Sequence, residues 1–535
     1  MSTKIMNPIL PGFHPDPSIL CVGEDYYIAT STFEWFPGVQ IYHSRDLANW
    51  KLLTRPLSSI KQLDMKGVEF SDGVWAPCLS YSSGTFYLVY TVVHSSKTDP
   101  FKDTPNYLVT AEDIMGPWSE PVYLNSSGFD PSLFHDEDGR KWLVNMEWDY
   151  RKTGSQLFSG ILLQEYDEKK KCLTGEIYKI SRGTEIARTE GPHLYKKDGY
   201  YYLMVAEGGT SYQHAVSLAR SKAITGPYEL HPQNPILTAW EGSWPNEEIE
   251  VNAGQSLLKK AGHGSICKAV NGKWYLVHLC ARPLEGTFFC VLGRETAIQE
   301  ILWKEDGWCC LKDGGNKPAD FIEIDENIEV ITENSKEYHF FDYEFMTDFQ
   351  TLRLPLDSEY ISIQNKKGCL ALRGRESIYS RFGQTLLARR QTDFSFEAST
   401  IMEFEPESFM HMAGLIYRYN EDNQYYIFMS YDEIHEKKTI NVIEVNDRKY
   451  QLLEQVFIDS GKVGFKLKVH NTRGQFYYVI ENIAVTIGPE FSTTILSDEY
   501  ARPMGFTGAF VGMCAQDLQG QKAEAYFENF VYIAE

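Results

Sequence analysis

The chain has 535 residues, 43% of them hydrophobic and 14% aromatic, and its 51 basic against 73 acidic residues give a formal charge of −22. That length exceeds the roughly 250 to 300 residues at which a single core stops growing, so two or three domains are expected. The acidic balance argues against nucleic acid or an anionic membrane as partner, and no run of about 20 apolar residues is present to span a bilayer.

The opening stretch, MSTKIMNPILPGFHPDPS, contains no apolar run of signal-peptide length, and a cytoplasmic location is the expectation. Ten cysteines are scattered singly apart from Cys309-Cys310, without the paired spacing of a zinc site, and read as free buried thiols. From there to about residue 315 one unit recurs: a turn followed by an aromatic-rich strand. It occurs as GEDYYIAT from Gly23, SSGTFYLVY from Ser82, EDGRKWLVNM from Glu137, KDGYYYLMV from Lys197 and NGKWYLVHL from Asn271. Asp-Gly and Asn-Gly favour hairpin turns, so each copy reads as the second strand of a hairpin. The stretches HSRDLANWKLL, AEDIMGPWSEPVYL and SKAITGPYELH, which follow three of the copies, read as outer strands. With Tyr26, Phe86, Lys141, Tyr200 and Lys273 as equivalent strand starts, the spacings are 60, 55, 59 and 73 residues. Each suits one four-stranded blade, and five blades predict an all-β fold with an N-terminal five-bladed β-propeller over residues 1–315.

After Lys312 the repeat stops, and KDGGNKPADF with the acidic stretch beyond it reads as a connection. Segments such as FSFEASTIMEF, QYYIFMSYDE and KAEAYFENFVYI then alternate apolar and polar residues between turns. Residues 316–535 are thus expected to hold a linker and a two-sheet β-sandwich of jelly-roll or concanavalin-like form.

Counting back 10 or 11 residues from each strand start finds Asp16, Trp75, Asp130, Glu190 and His263. If these belong to innermost strands, all five point into the propeller channel at one end. Three are carboxylates, set in FHPDPSIL, GFDPSLFH and RTEGPHLY. Asp-Pro-Ser by itself is an ordinary turn sequence. The shared register is what gives it weight, because gathering three carboxylates costs Coulomb energy and needs a functional reason. Glycoside hydrolysis supplies one: it needs a carboxylic acid to protonate the leaving oxygen and a carboxylate to activate water or attack. Negative neighbours would hold a proton on the acid, and carboxylates facing each other across a channel leave room for a water, which favours inversion.

NPILPGFHPDPSI, STFEWFPGVQIYHSRDLANW, GVWAPCLSY, SGFDPSLF, TEGPHLY, AEGGTSY, GHGSI and LGRETAIQEI together resemble glycoside hydrolase family 43, in particular its β-xylosidases with a C-terminal β-sandwich. The resemblance implies that Asp16 is the general base, Glu190 the general acid, and Asp130 the residue that raises and orients Glu190. It implies that Arg294 bonds substrate hydroxyls, that Phe33 and Trp75 wall the sugar ring, and that ARPMGFTGAFVGMCAQD inserts Phe506 or Phe510 into the mouth of the site. His263 would line the floor; no acidic cluster surrounds it in the sequence, so neither a metal nor a cofactor is expected. Glu207 and Thr210 are expected beside the acid. A channel closed at one end takes only a terminal sugar, so the expected activity is exo-acting release of xylose from 1,4-β-xylooligosaccharides, with α-L-arabinofuranosidase as a side or main activity. A non-catalytic carbohydrate-binding protein is the alternative of another class. The resemblance further implies a homo-oligomer, dimer or tetramer.

Overall fold

The computed structural model describes residues 2–97, 100–244, 256–331 and 335–535; residues 332–334 of the acidic connection lie outside them. Strands dominate, and the helical elements among the described residues are three four-residue 3-10 turns. None is long and apolar enough to cross a membrane. All ten cysteines are free thiols, seven of them buried.

Five separate antiparallel sheets form the propeller, four of consecutive strands and the first interrupted by Trp35–Phe36, which pairs elsewhere. Their inner strands are Ser18–Val22, Gly73–Ser82, Ser132–His135, Glu190–Lys197 and Lys259–Lys268. The second strands are Asp25–Thr30, Thr85–Val93, Lys141–Trp148, Tyr200–Glu207 and Trp274–Ala281, within one residue of every predicted start. Apolar layers between neighbouring blades hold the ring, for example Tyr27, Phe36 and Ile41 against Leu79, Phe86 and Leu88. The two Asp-Pro-Ser serines tie blades together. Ser18 accepts from the Leu79 N–H at 3.2 Å and Ser132 donates to the Pro192 carbonyl at 2.6 Å. The ring closes where Ile5, Ile19 and Ile28 pack against Tyr275, Val277 and Ile298. A ribbon of Thr3–Met6 paired with Phe321–Ile324 straps this seam, so part of the stretch read as a connection belongs to the propeller.

The C-terminal part is a sandwich of two large antiparallel sheets over one apolar core. One sheet does not stop at the sandwich. Its edge strand Phe349–Leu352 pairs with Trp35–Phe36, a two-residue strand from the loop between the second and third strands of the first blade. The Trp35 ring stacks on Phe510 with centroids 3.7 Å apart and planes 13° from parallel. Phe13, Phe33, Leu386, Ile416 and Tyr426 complete a core shared by the two parts.

Removing a buried aromatic ring costs about 3 to 5 kcal/mol through lost transfer energy and the cavity left behind. Phe510→Ala is therefore expected to lower the unfolding free energy of the whole chain by that order, read from denaturant unfolding followed by tryptophan fluorescence, because Trp35 loses its stacking partner.

Candidate active site

At one end of the channel a cavity of about 300 Å3 is lined by Asp16, Trp75, Asp130, Glu190 and His263, one residue from each blade. The local backbone explains why these side chains turn inward. Asp16, Ala76, Asp130, Gly191 and His263 all have left-handed conformations, with φ of 53°, 39°, 56°, 53° and 48°. In the second, fourth and fifth blades the ladder slips at this point. Such bulges re-aim side chains at sheet ends. Asp tolerates this conformation by local hydrogen bonding, and glycine tolerates it freely. At Gly191 a Cβ would also stand 3.1 Å from the His263 ring.

The Asp16 carboxylate accepts the Ser31 hydroxyl at 2.6 Å, and Ser31 in turn accepts the Ala76 N–H at 2.7 Å, so two blades fix its position. His263 Nδ1 lies 3.8 Å from the other Asp16 oxygen. Asp130 accepts the Gly191 N–H at 3.0 Å, which places it against the backbone of the residue that follows Glu190. Burial, and then the Asp16 charge, push Glu190 up to about 8 against the pull of Arg294 and Arg188. Burial also holds Asp130 well above the usual carboxylate range, with Glu190 and Asp16 adding to it. Burial holds His263 below the usual imidazole range, so the ring is neutral near pH 7. Among the described residues no cluster of three or more His, Cys, Asp or Glu side chains is arranged to hold a metal ion.

Phe33, Trp75 and Phe506 form one aromatic wall, with centroids 5.7 to 6.1 Å apart. Ser71 organises it. Its carbonyl accepts the Trp75 indole N–H and its hydroxyl accepts the Phe506 N–H, both at 2.9 Å. Its own N–H is held by the buried Glu34 carboxylate at 2.9 Å. Arg294 completes the rim: Nη2 donates to the Thr210 carbonyl at 3.1 Å and the guanidinium lies 4.6 Å from the Phe506 centroid. Thr210 itself lines the cavity.

Two expectations are corrected. Glu207 does not reach the cavity; it lies fully buried beneath the Gly183–Thr189 loop, where it accepts from Thr184 and Thr189 and so braces the segment that leads into Glu190. Phe510 opens a strand and faces the shared core, stacked on Trp35, which leaves Phe506 as the aromatic at the mouth. The sequence reading also missed part of the lining. Phe129, Trp148 and Phe158 add a second aromatic group, and Lys97 and Lys102 bring two ammonium groups. Trp148 and Phe158 end and begin adjacent strands at the same rim as Asp130, a position the blade register could have flagged.

Residues 5–309 match the family described as Glycosyl hydrolases family 43, and residues 337–533 match the Beta xylosidase C-terminal Concanavalin A-like domain. The chain is 49% identical to a "Xylosidase/arabinosidase 43B" of Humicola insolens, over 99% of this chain and 97% of that one. It is 45% identical to a "Beta-xylosidase" of Bacillus subtilis (strain 168), over 99% of both. The crystal structure of a xylan beta-1,4-xylosidase from Bacillus halodurans C-125 superposes with a TM-score of 0.93 at 50% identity, covering 99% of this chain and all of the other.

Because a hydrogen bond of this kind is worth about 1 kcal/mol net, Ser71→Ala is expected to raise KM about fivefold with a smaller change in kcat. Steady-state kinetics on an aryl glycoside, with circular dichroism to confirm the fold, reads this directly.

Proposed function

The chain belongs to glycosyl hydrolases family 43, and on that premise we propose that it is an exo-acting, inverting β-xylosidase that releases xylose from the non-reducing end of 1,4-β-xylooligosaccharides. The observation that carries this reading is the arrival of Asp16, Asp130 and Glu190 from three blades in one aromatic-walled cavity of about 300 Å3. A volume at the low end of ligand pockets, roughly 300 to 1,000 Å3, suits a chain end rather than a polymer passing through. Phe506 and its neighbours Pro503 and Met504, all from the sandwich, cap the mouth.

In this reading Asp16, oriented by Ser31, takes a proton from a water molecule as that water attacks the anomeric carbon. Glu190, protonated near neutral pH, gives its proton to the glycosidic oxygen as the bond to it breaks on the opposite face. Water has then replaced the leaving sugar with inversion, and exchange with solvent removes the proton from Asp16 and returns one to Glu190. Asp130 fixes the Gly191 peptide next to Glu190. Arg294 offers a planar fork to sugar hydroxyls. The aromatic wall stacks on the ring's C–H faces.

The name of the Humicola insolens relative supports α-L-arabinofuranosidase as a second activity of the same site. Ten free thiols favour a reducing compartment, consistent with the cytoplasm. Exposed apolar residues on two outer strands of the sandwich, Tyr450, Leu452 and Phe457 on one and Ile483 and Val485 on the other, support self-association. Light scattering is expected to give a multiple of the 61.4 kDa chain mass, and the single-chain mass would refute assembly.

Proton NMR of β-1,4-xylobiose hydrolysis is expected to show α-xylose first, with Asp16→Ala and Glu190→Ala slower by about 10² or more. On a dinitrophenyl β-xyloside, whose leaving group needs no proton, Glu190→Ala should recover much of its rate and Asp16→Ala should not. Initial β-xylose would overturn inversion, and a much higher kcat/KM for nitrophenyl α-arabinofuranoside would reverse the order of activities. The raised Glu190 sets the alkaline limit. The acid is protonated below about 8 and ionises as pH rises through that value, so kcat/KM should fall there.

A further inference from the structure

Arg294 and three ionisable side chains behind it, away from the cavity, are shut off from water. Lys260 and Arg294 come from the fifth blade, and Asp498 and Glu499 come from the sandwich; the relative side-chain exposure is 0% for all but Arg294, at 3%. Asp498 Oδ2 stands 3.5 Å from both Arg294 Nε and Lys260 Nζ. Its other oxygen accepts the Tyr419 hydroxyl at 2.6 Å. Glu499 pairs with Lys260 and accepts the Cys290 N–H at 2.8 Å. Two cations thus face two carboxylates, and a buried cation without such a partner would be costly.

The backbones around this cluster are locked together. Ala509 donates to the Val291 carbonyl at 2.8 Å, and at Gly293, whose φ is 73°, a Cβ would fall 1.8 Å from the Thr507 carbonyl oxygen. No side chain fits there, so the sandwich segment rests directly on the loop that carries Arg294. Among the described residues, the one ion pair of Arg294 is with Asp498.

We propose that Asp498 is a positioning residue for the glycosidic reaction: it aims the Arg294 guanidinium at the sugar and balances its charge, so that the sandwich supplies part of the electrostatics felt by Glu190. The proposal rests on the glycosidase reading above and adds a role to the sandwich beyond capping the mouth. The groups facing Glu190 are Asp16 ahead of the first blade, Asp130 ahead of the third, Arg188 on its own segment, and His263 and Arg294 from the fifth. Arg294 is the one among them that is held from the sandwich. With Asp498 neutral, the Arg294 charge is no longer compensated and favours the ionised acid, so Glu190 gives up its proton at lower pH.

The test is the pH profile of kcat/KM on β-1,4-xylobiose for wild type, Asp498→Asn, Arg294→Gln and the double variant. Asp498→Asn keeps the acceptor for Tyr419 and removes the charge. Its alkaline limb is expected to move down by about one unit, with kcat/KM at the optimum lower by about tenfold, and both effects should shrink once Arg294 is gone. A limb that stays in place, or one that moves equally without Arg294, overturns the proposal. Should Asp498→Asn fail to fold, Tyr419→Phe removes one hydrogen bond from Asp498 and no charge. It is expected to lower kcat/KM about fivefold with the limb unmoved, and wild-type kinetics would overturn the proposal. A wild-type protein inert towards xylobiose would instead overturn the glycosidase reading.

Discussion

Three carboxylates enclosed in one small cavity cannot all carry charge, and most of the catalytic end of this molecule is arranged around that constraint. Each of the three arrives on a different blade, and the blades are held apart by apolar layers between their sheets, so the repulsion cannot relax by moving the residues away from each other. What relaxes instead is protonation. Burial and mutual repulsion push Glu190 and Asp130 upward, while the hydroxyl of Ser31 is spent on Asp16. The same unequal treatment of neighbouring carboxylates separates an acid from a base in many hydrolases. Left-handed backbone just before or within each inner strand is what brings the groups to one level, and it is tolerated because Asp, Gly and His occupy four of the five positions.

The blade register was readable from the sequence because two periodicities coincide. Strands alternate their side chains every two residues, and the blades recur every 55 to 73, so counting back 10 or 11 residues from five hairpins found one lining residue per blade. That argument works only along the inner strands. Glu207 was misplaced because it ends a second strand near the acid, where nearness in sequence says nothing about which side of the sheet the carboxylate faces. Phe506 and Phe510 could not be separated because the choice depends on where a strand begins, and it begins at Phe510. Asp498 and Arg294 are 204 positions apart with no local pattern to join them, and the same holds for Ser71 and Phe506. Contacts of this kind exist only after tertiary packing.

The sandwich is more than a neighbour placed beside the channel. It adopts Trp35–Phe36 into one of its sheets, shares a core with the first blade, sends Phe506 to the mouth and backs Arg294 with a buried carboxylate. Two of these contacts, through Phe506 and Arg294, reach the cavity itself. A catalytic domain cut free at the connection would therefore keep its carboxylates and lose the surroundings that orient substrate and tune the acid.

The pairing of Trp35 with a strand of the sandwich also sets an order in time. Domains emerging from the ribosome fold from the N-terminal end as they are made. The first blade is complete once its strand Lys51–Thr54 has been synthesised, yet the aromatic loop within it has to wait for Phe349–Leu352 and then for Phe510, near the far end of the chain. Until then Trp35 and the side of Phe33 that meets the sandwich stand uncovered on the nascent protein. Completion of the site thus waits for the sandwich, and the interval before it is when the growing chain most needs shelter from aggregation.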